Sequence, residues 1–186
     1  VYPRPVQDKL PLWVATGGHV ESTVKIAQAG LPIVYAIIGG NPHYFKKLIQ
    51  AYREIGREVG HADKDLKVGA HSWGWIAEDG EQAVKDYFHP TKQVVDAISK
   101  DRPHWQELTN EQYLEQVGPN GAMFVGNPDQ VAEKLIRMIE DLDLDRFMLH
   151  LPLGSMPHDQ VLRAIELFGT QMAPKVRAYF AMKERI

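Results

Sequence analysis

A chain of 186 residues with 44% hydrophobic residues can bury one substantial core, and its formal net charge of −3 offers no basic surface for nucleic acid or an acidic membrane. The lack of cysteine excludes disulfide frameworks, thiolate metal centres and thiol nucleophiles. No apolar run reaches the length of a membrane span and the start does not read as a signal segment, so a soluble cytoplasmic protein is expected.

The first residue is Val1 rather than methionine, as expected of a piece of a longer chain. Val1 to Leu10 carries Pro3 and Pro5 without periodicity and reads as an extended lead-in. Leu12 to Thr16 is a short apolar run that predicts a buried strand, and Gly17-Gly18 turns the chain sharply after it. Val20, Val24 and Ala27 then recur at helical spacing and predict a helix packing that face on the strand, stopped by Gly30 and Pro32. Pro32 to Ile38 is a nearly continuous apolar run, as a strand covered on both faces requires, and Gly39-Gly40 ends it. Asn41 fits an N-cap with Pro42 at the first helical position, and Phe45, Leu48, Ile49, Tyr52 and Ile55 mark the buried stripe of a long helix closed by Gly60.

Lys67 to Ile76, rich in strand formers and broken by small residues, predicts a third strand. Ala83, Val84, Tyr87, Val94, Val95 and Ile98 predict a helix from about Glu81 to Ser99, with His89-Pro90 as a point where it kinks or divides. Periodicity fails from Lys100 to Gly121, which predicts an irregular insertion over 100–121. Thr109 and Gln112 there have the spacing of a capping box and predict a short helix inside it. Asn127-Pro128 opens another helix, faced by Val131, Leu135, Met138, Ile139 and Leu142. Arg146 to Leu151 is the last strand, followed by a helix through Val161, Leu162, Ile165, Leu167 and Phe168 and a terminal helix from about Pro174.

Strand followed by helix, about four times over, predicts a single domain over 1–186 with a parallel sheet and outer helices. An open doubly wound sheet and part of an eight-fold barrel both satisfy the pattern, whereas a complete barrel takes about 250 residues. No Gly-x-Gly-x-x-Gly fingerprint opens the first helix, which weakens a dinucleotide-binding reading.

The junction after the first strand is the candidate phosphate site. A first helical turn presents free N–H groups and a positive dipole end, and Gly17-Gly18 leaves room for an anion to reach them. The alternative is a tight strand-to-helix connection with Ser22 exposed. His71 and Trp73 lie two apart on the third strand and therefore share a face, either as pocket residues or as a core histidine and tryptophan. His150 ends a strand and His158 enters a helix, so both are weaker candidates for the active face. Neither His-Glu-x-x-His nor Gly-x-Ser-x-Gly occurs, so no metal centre is expected, and Asp63, Asp65, Glu78 and Asp79 read as solvated turn carboxylates.

Tyr2-Pro-Arg-Pro-Val-Gln7, Pro11-Leu-Trp-Val-Ala-Thr-Gly-Gly18, Glu21-Ser22 and Gly30-Leu-Pro32 resemble the second half of the bacterial luciferase-like flavin-dependent monooxygenases. Gly126-Asn-Pro128, Val131-Ala132, Asp145-Arg-Phe-Met148 and Ile165-Glu-Leu-Phe-Gly169 resemble the closing part of the same family, in the same order. The resemblance implies an α/β fold that is the C-terminal half of a TIM-type (β/α)8 barrel. It also implies reduced flavin, as FMN, acting with molecular oxygen on a small organic substrate, and a deazaflavin is the alternative. By position it assigns the flavin phosphate to Thr16, Gly17, Gly18, His19 and Ser22, although His19-Val20 stands where the family commonly has a serine-proline pair. It makes His71 and Trp73 lining residues of the substrate pocket. The family's best-known catalytic histidine belongs to the other half, so the chain alone is expected to be inactive. Its expected partner is the missing N-terminal half of the barrel or a second copy in a homodimer, either of which would cover open strand edges. A noncatalytic flavin- or phosphate-binding module, and an interaction domain without ligand, are the competing expectations.

Overall fold

The computed structural model describes residues 2–8, 10–102 and 105–183. Its strands are β1 (Val14–Thr16), β2 (Ile33–Ala36), β3 (Val68–Ile76), β4 (Phe124–Gly126) and β5 (Arg146–His150), and every pairing between them is parallel. The helices are α1 (Val20–Gln28), α2 (Phe45–Glu58), α3 (Gly80–Asp101), α4 (Asn110–Val117), α5 (Pro128–Leu142), α6 (His158–Leu167) and α7 (Ala173–Lys183). The sheet runs β1-β2-β3, and β3 is long enough to pair with β5 through residues 69–73 and with β4 through 74–76.

Because side chains alternate along a strand, this register sorts the sheet into two faces. Ile33, Tyr35, Val68 and Ala70 share one face and are fully buried, with the Tyr35 ring edge-on to Phe45 of α2 at 5.6 Å. The other face carries Ala15, Val34, Ala36, Gly69, His71, Trp73, Arg146, Met148 and His150. Helices cover the first face; on the second, Ala15, Arg146, Met148 and His150 are exposed.

Several helices differ from expectation, each for a physical reason. The buried residues of α1 are Thr23, Ile26 and Ala27, while Val20 is 66% exposed. The helix is rolled so that the Thr23 hydroxyl reaches the Tyr35 hydroxyl at 3.1 Å, which satisfies two buried polar groups at once. In α6, Ala164 and Leu167 are buried, whereas Leu162 and Ile165 are 54% and 50% exposed. α3 runs unbroken through Pro90: both Pro90 and Thr91 are buried, and packing offsets the backbone hydrogen bond that proline cannot make. β4 was not expected, since three residues are too few to show a period. The capping box of α4 is present, with the Gln112 N–H donating to Thr109 Oγ1 at 3.2 Å and the Thr109 N–H to Gln112 Oε1 at 3.1 Å.

α4 and the turn after it are fastened by Lys134 of α5, a lysine only 9% exposed. Its ammonium donates to the carbonyls of Val117, Gly118 and Met123 at 3.0, 2.6 and 2.7 Å. It thereby adds a donor to carbonyls at the end of α4 and in the turn beyond it, at the negative end of the helix dipole. Burial, and then the nearby Arg137, lower its pKa to about 7, while the carbonyls pull the other way by favouring the charged form. Lys134→Met keeps the stem and removes the donors. It should lower the unfolding free energy by about 1–3 kcal/mol in a urea titration, the cost of leaving buried acceptors unpaired; a loss well below that would mean that water replaces the ammonium.

Candidate functional site

At the β1–α1 junction, Gly18 has φ +99° and a side chain there would meet the Phe45 ring, so backbone and packing both require glycine. Gly17 differs: a Cβ added there meets nothing within 4 Å. The Gly18 N–H donates weakly to Thr16 Oγ1 at 3.4 Å, which gives the buried Thr16 a role in holding the turn. His19 occupies the N-cap in an extended conformation, exposed, with no capping hydrogen bond from its side chain. Ser22 is half-buried in the first turn. Glu21 beside it is engaged by Lys25 at 2.7 Å, which offsets the one carboxylate that would oppose an anion. The junction therefore combines helix N–H donors uncapped by a side chain, a hydroxyl and an open approach.

A second group forms on the open face of the sheet. Trp73 is paired in register with His150, and His71 with Met148. The His71 and His150 rings lie 5.7 Å apart at 38°. Burial, and then the neighbouring His150, hold the His71 pKa below the usual histidine value, so His71 is neutral at pH 7. Trp73 is 6% exposed, and the Trp105 ring from the insertion approaches it at 6.3 Å and 49°. The spacing of two identified His71 and Trp73, but His150 arrives through strand register and Trp105 from a stretch with no period. His158 is an exposed first residue of α6.

Both groups lie toward the carboxyl ends of the parallel strands, where ligands of such sheets bind. A cleft of about 420 Å³ opens there beside Ile38, Gly39, Gly40, Trp73 and Trp105. A larger cavity of about 680 Å³ lies at the amino ends, between Trp13, His61, Lys67 and Arg146, away from these groups.

The model of one family, luciferase-like monooxygenase, matches residues 1–145. The chain belongs to the luciferase-like monooxygenase family. Among solved structures, monooxygenase RslO1 from Streptomyces bottropensis superposes with a TM-score of 0.75 at 19% identity, over 93% of this chain and 50% of that one. The coenzyme F420-dependent tetrahydromethanopterin reductase from Methanopyrus kandleri gives 0.61 at 16%, over 89% and 50%. The oxygenating constituent of 3,6-diketocamphane monooxygenase from Pseudomonas putida, solved in complex with FMN, gives 0.59 at 15%, over 88% and 48%. At such identities the likeness establishes the fold, and this luciferase-like chain spans about half the length of those structures. No curated protein matches it. Its α/β fold is that of a partial TIM-type barrel, with the open face of the sheet where a barrel interior would be.

The coupling of the two histidines is measurable by NMR titration of the imidazole Cε1–H signals. His71 should titrate below 6.5, and in His150→Gln its pKa should rise yet stay below that value, because burial, the larger cause, remains. A folded-state pKa below the unfolded one means that stability is lost as the pH falls below about 6.5, and His150→Gln should weaken that acid sensitivity. An unchanged His71 titration in the variant would show that the rings do not share a site.

Proposed function

We propose that this chain supplies the flavin-phosphate site and part of the substrate pocket of a flavin-dependent monooxygenase, which uses reduced flavin and molecular oxygen on a small organic substrate. The observation that carries the reading is the uncapped start of α1 behind Gly17, a glycine whose side-chain direction is open. In this reading Thr16 and Gly18 shape the turn, and the first-turn N–H groups, His19 and Ser22 Oγ hold the phosphate. Gly17 lets the phosphate approach. An FMN phosphate fits this donor set, since the adjacent carboxylate is already paired with Lys25. The fold's occurrence in a monooxygenase complexed with FMN supports FMN; its occurrence in an F420-dependent reductase keeps a deazaflavin as the alternative.

When bound, the flavin supplies the electrons and the oxygen chemistry. The residues of this chain bind, orient and shield. Trp73 and Trp105 exclude water from one wall of the pocket, and neutral His71 can hold or release a proton beside the substrate. His150 sits close enough to shift that proton's affinity. Turnover belongs to the assembled barrel. The exposed Ala15, Arg146, Met148 and His150 are then covered by the N-terminal half or by a homodimer partner, and 1–186 acts as one domain with 100–121 inserted. The assembly works in the cytoplasm; among the described residues no helix is long and apolar enough to cross a membrane.

Comparing FMN with riboflavin tests this, because the two differ only in the phosphate. FMN should bind at least about tenfold more tightly in a flavin-fluorescence titration, and Ser22→Ala should weaken FMN about 5- to 10-fold, one hydrogen bond's worth, without changing riboflavin. Equal affinity for the two flavins would remove the phosphate site and the reading with it.

A further inference from the structure

We infer that the cleft between Trp105, Trp73 and the Gly39-Gly40 turn is a substrate slot that selects a neutral, flat ring system bearing a hydrogen-bonding edge. The assignment of this slot to substrate rests on the flavin-monooxygenase reading above; its preference for a ring rests on its own walls.

The first wall is aromatic and held in place. Trp105 is half-buried and tilted against Trp73, so part of its face is left for a ligand. The segment carrying it is gripped at both polar groups of Leu108. The Leu108 N–H donates to Asp96 Oδ1 at 2.9 Å, and its carbonyl accepts from Lys92 Nζ at 3.0 Å. Lys92 and Asp96 are themselves paired at 2.7 Å, and the Trp105 N–H donates to the Arg102 carbonyl at 2.9 Å. A hydrogen bond from Lys92, then one from the Leu108 N–H, keep the Asp96 carboxyl below its usual range, so the grip persists across neutral and mildly acid pH. A wall ordered before binding loses little entropy when a ligand arrives.

The facing wall is backbone. An added Cβ at Gly39 or Gly40 meets nothing within 4 Å, so a flat ring can lie close over that turn. Leu108 and Met123 contribute apolar surface, and Gln106 and Gln112 place amides at the rim. Among the described lining residues Glu115 is the only ionised side chain, and it disfavours anions. The two lysines that reach lining residues from behind are already engaged: Lys92 donates to the Leu108 carbonyl and pairs with Asp96, and Lys134 donates to the Gln116 and Met123 carbonyls. The volume of about 420 Å³ sits within the roughly 300–1,000 Å³ of small-ligand sites. Stacking surface with no cation among the described lining residues favours a neutral ring over a fatty chain or a sulfonate.

Calorimetric titrations of the full chain with 2-naphthol, naphthalene-2-sulfonate and 1-octanol test this, with FMN and riboflavin titrated in parallel. 2-Naphthol should bind at least tenfold more tightly than either other probe. Trp105→Leu should weaken it tenfold or more, Trp105→Phe should retain it within threefold, and both variants should bind FMN as the parent does, which confirms their folding. Naphthol affinity unaffected by Trp105→Leu, or matched by the sulfonate or the alcohol, overturns the slot while leaving the flavin reading intact if FMN still exceeds riboflavin. Trp105-dependent naphthol binding without discrimination between FMN and riboflavin supports the ring site and overturns the flavin reading instead.

Discussion

β3 pairs with three strands, and it can do so because Gly69 and Gly74 place no side chain where those neighbours converge. A Cβ on Gly74 would collide with the Phe124 carbonyl of β4 and the Leu149 side chain of β5, and one on Gly69 would press on Trp13, Val34 and the Arg146 carbonyl. This close approach sets the register, and the register sets the site. It puts His150 beside Trp73 and, through Met148, close to His71. Of the nine residues of β3 only His71 is half-buried and the others are buried, so the face opens at a titratable side chain. A second imidazole placed beside it disfavours protonation of His71, an arrangement more useful for controlling a proton than for holding a strand in place.

The segment between α3 and β4 is tied at several points, although its sequence carries no period. Lys134 holds its exit through backbone carbonyls, Asp96 and Lys92 hold Leu108, and the Tyr113 hydroxyl donates to the Val84 carbonyl at 2.8 Å while its ring packs on Phe88 at 5.1 Å. Apart from the Tyr113–Phe88 packing, these are polar side chains meeting backbone groups of an irregular segment. Trp105 owes its position to them.

What could be read from the residues was whatever depends on near neighbours along the chain. The capping box at Thr109 and Gln112, the stripe of α2 and the glycine-rich turn after β1 all follow from local spacing, and each is present. What could not be read depends on distant partners. Thr23 turns inward only because Tyr35 offers it a hydroxyl twelve residues on, and α1 rolls with it. Leu162 and Ile165 have the spacing of a buried stripe, yet Ala164 and Leu167 face the core. The same limit divides the site: His71 and Trp73 are two apart on one strand, whereas His150 and Trp105 join them from a neighbouring strand and a looping segment.

The two ends of the open face are finished differently, and the contrast locates chemistry at one of them. At the amino end, Trp13 lies over Gly69 and the Arg146 guanidinium stands 4.5 Å from the centre of the Trp13 ring. The lowest layer of the would-be interior thus holds a cation–π contact between the chain's own side chains, on the wall of the larger cavity at that end. Toward the carboxyl end, no such contact covers the layer of His71, Trp73 and His150 among the described residues, and Trp105 stands against Trp73. Barrels of this type are packed for stability at the bottom and left adaptable at the top. In this chain that division runs along β3 itself, from the glycine under Trp13 to the tryptophan beside the cleft.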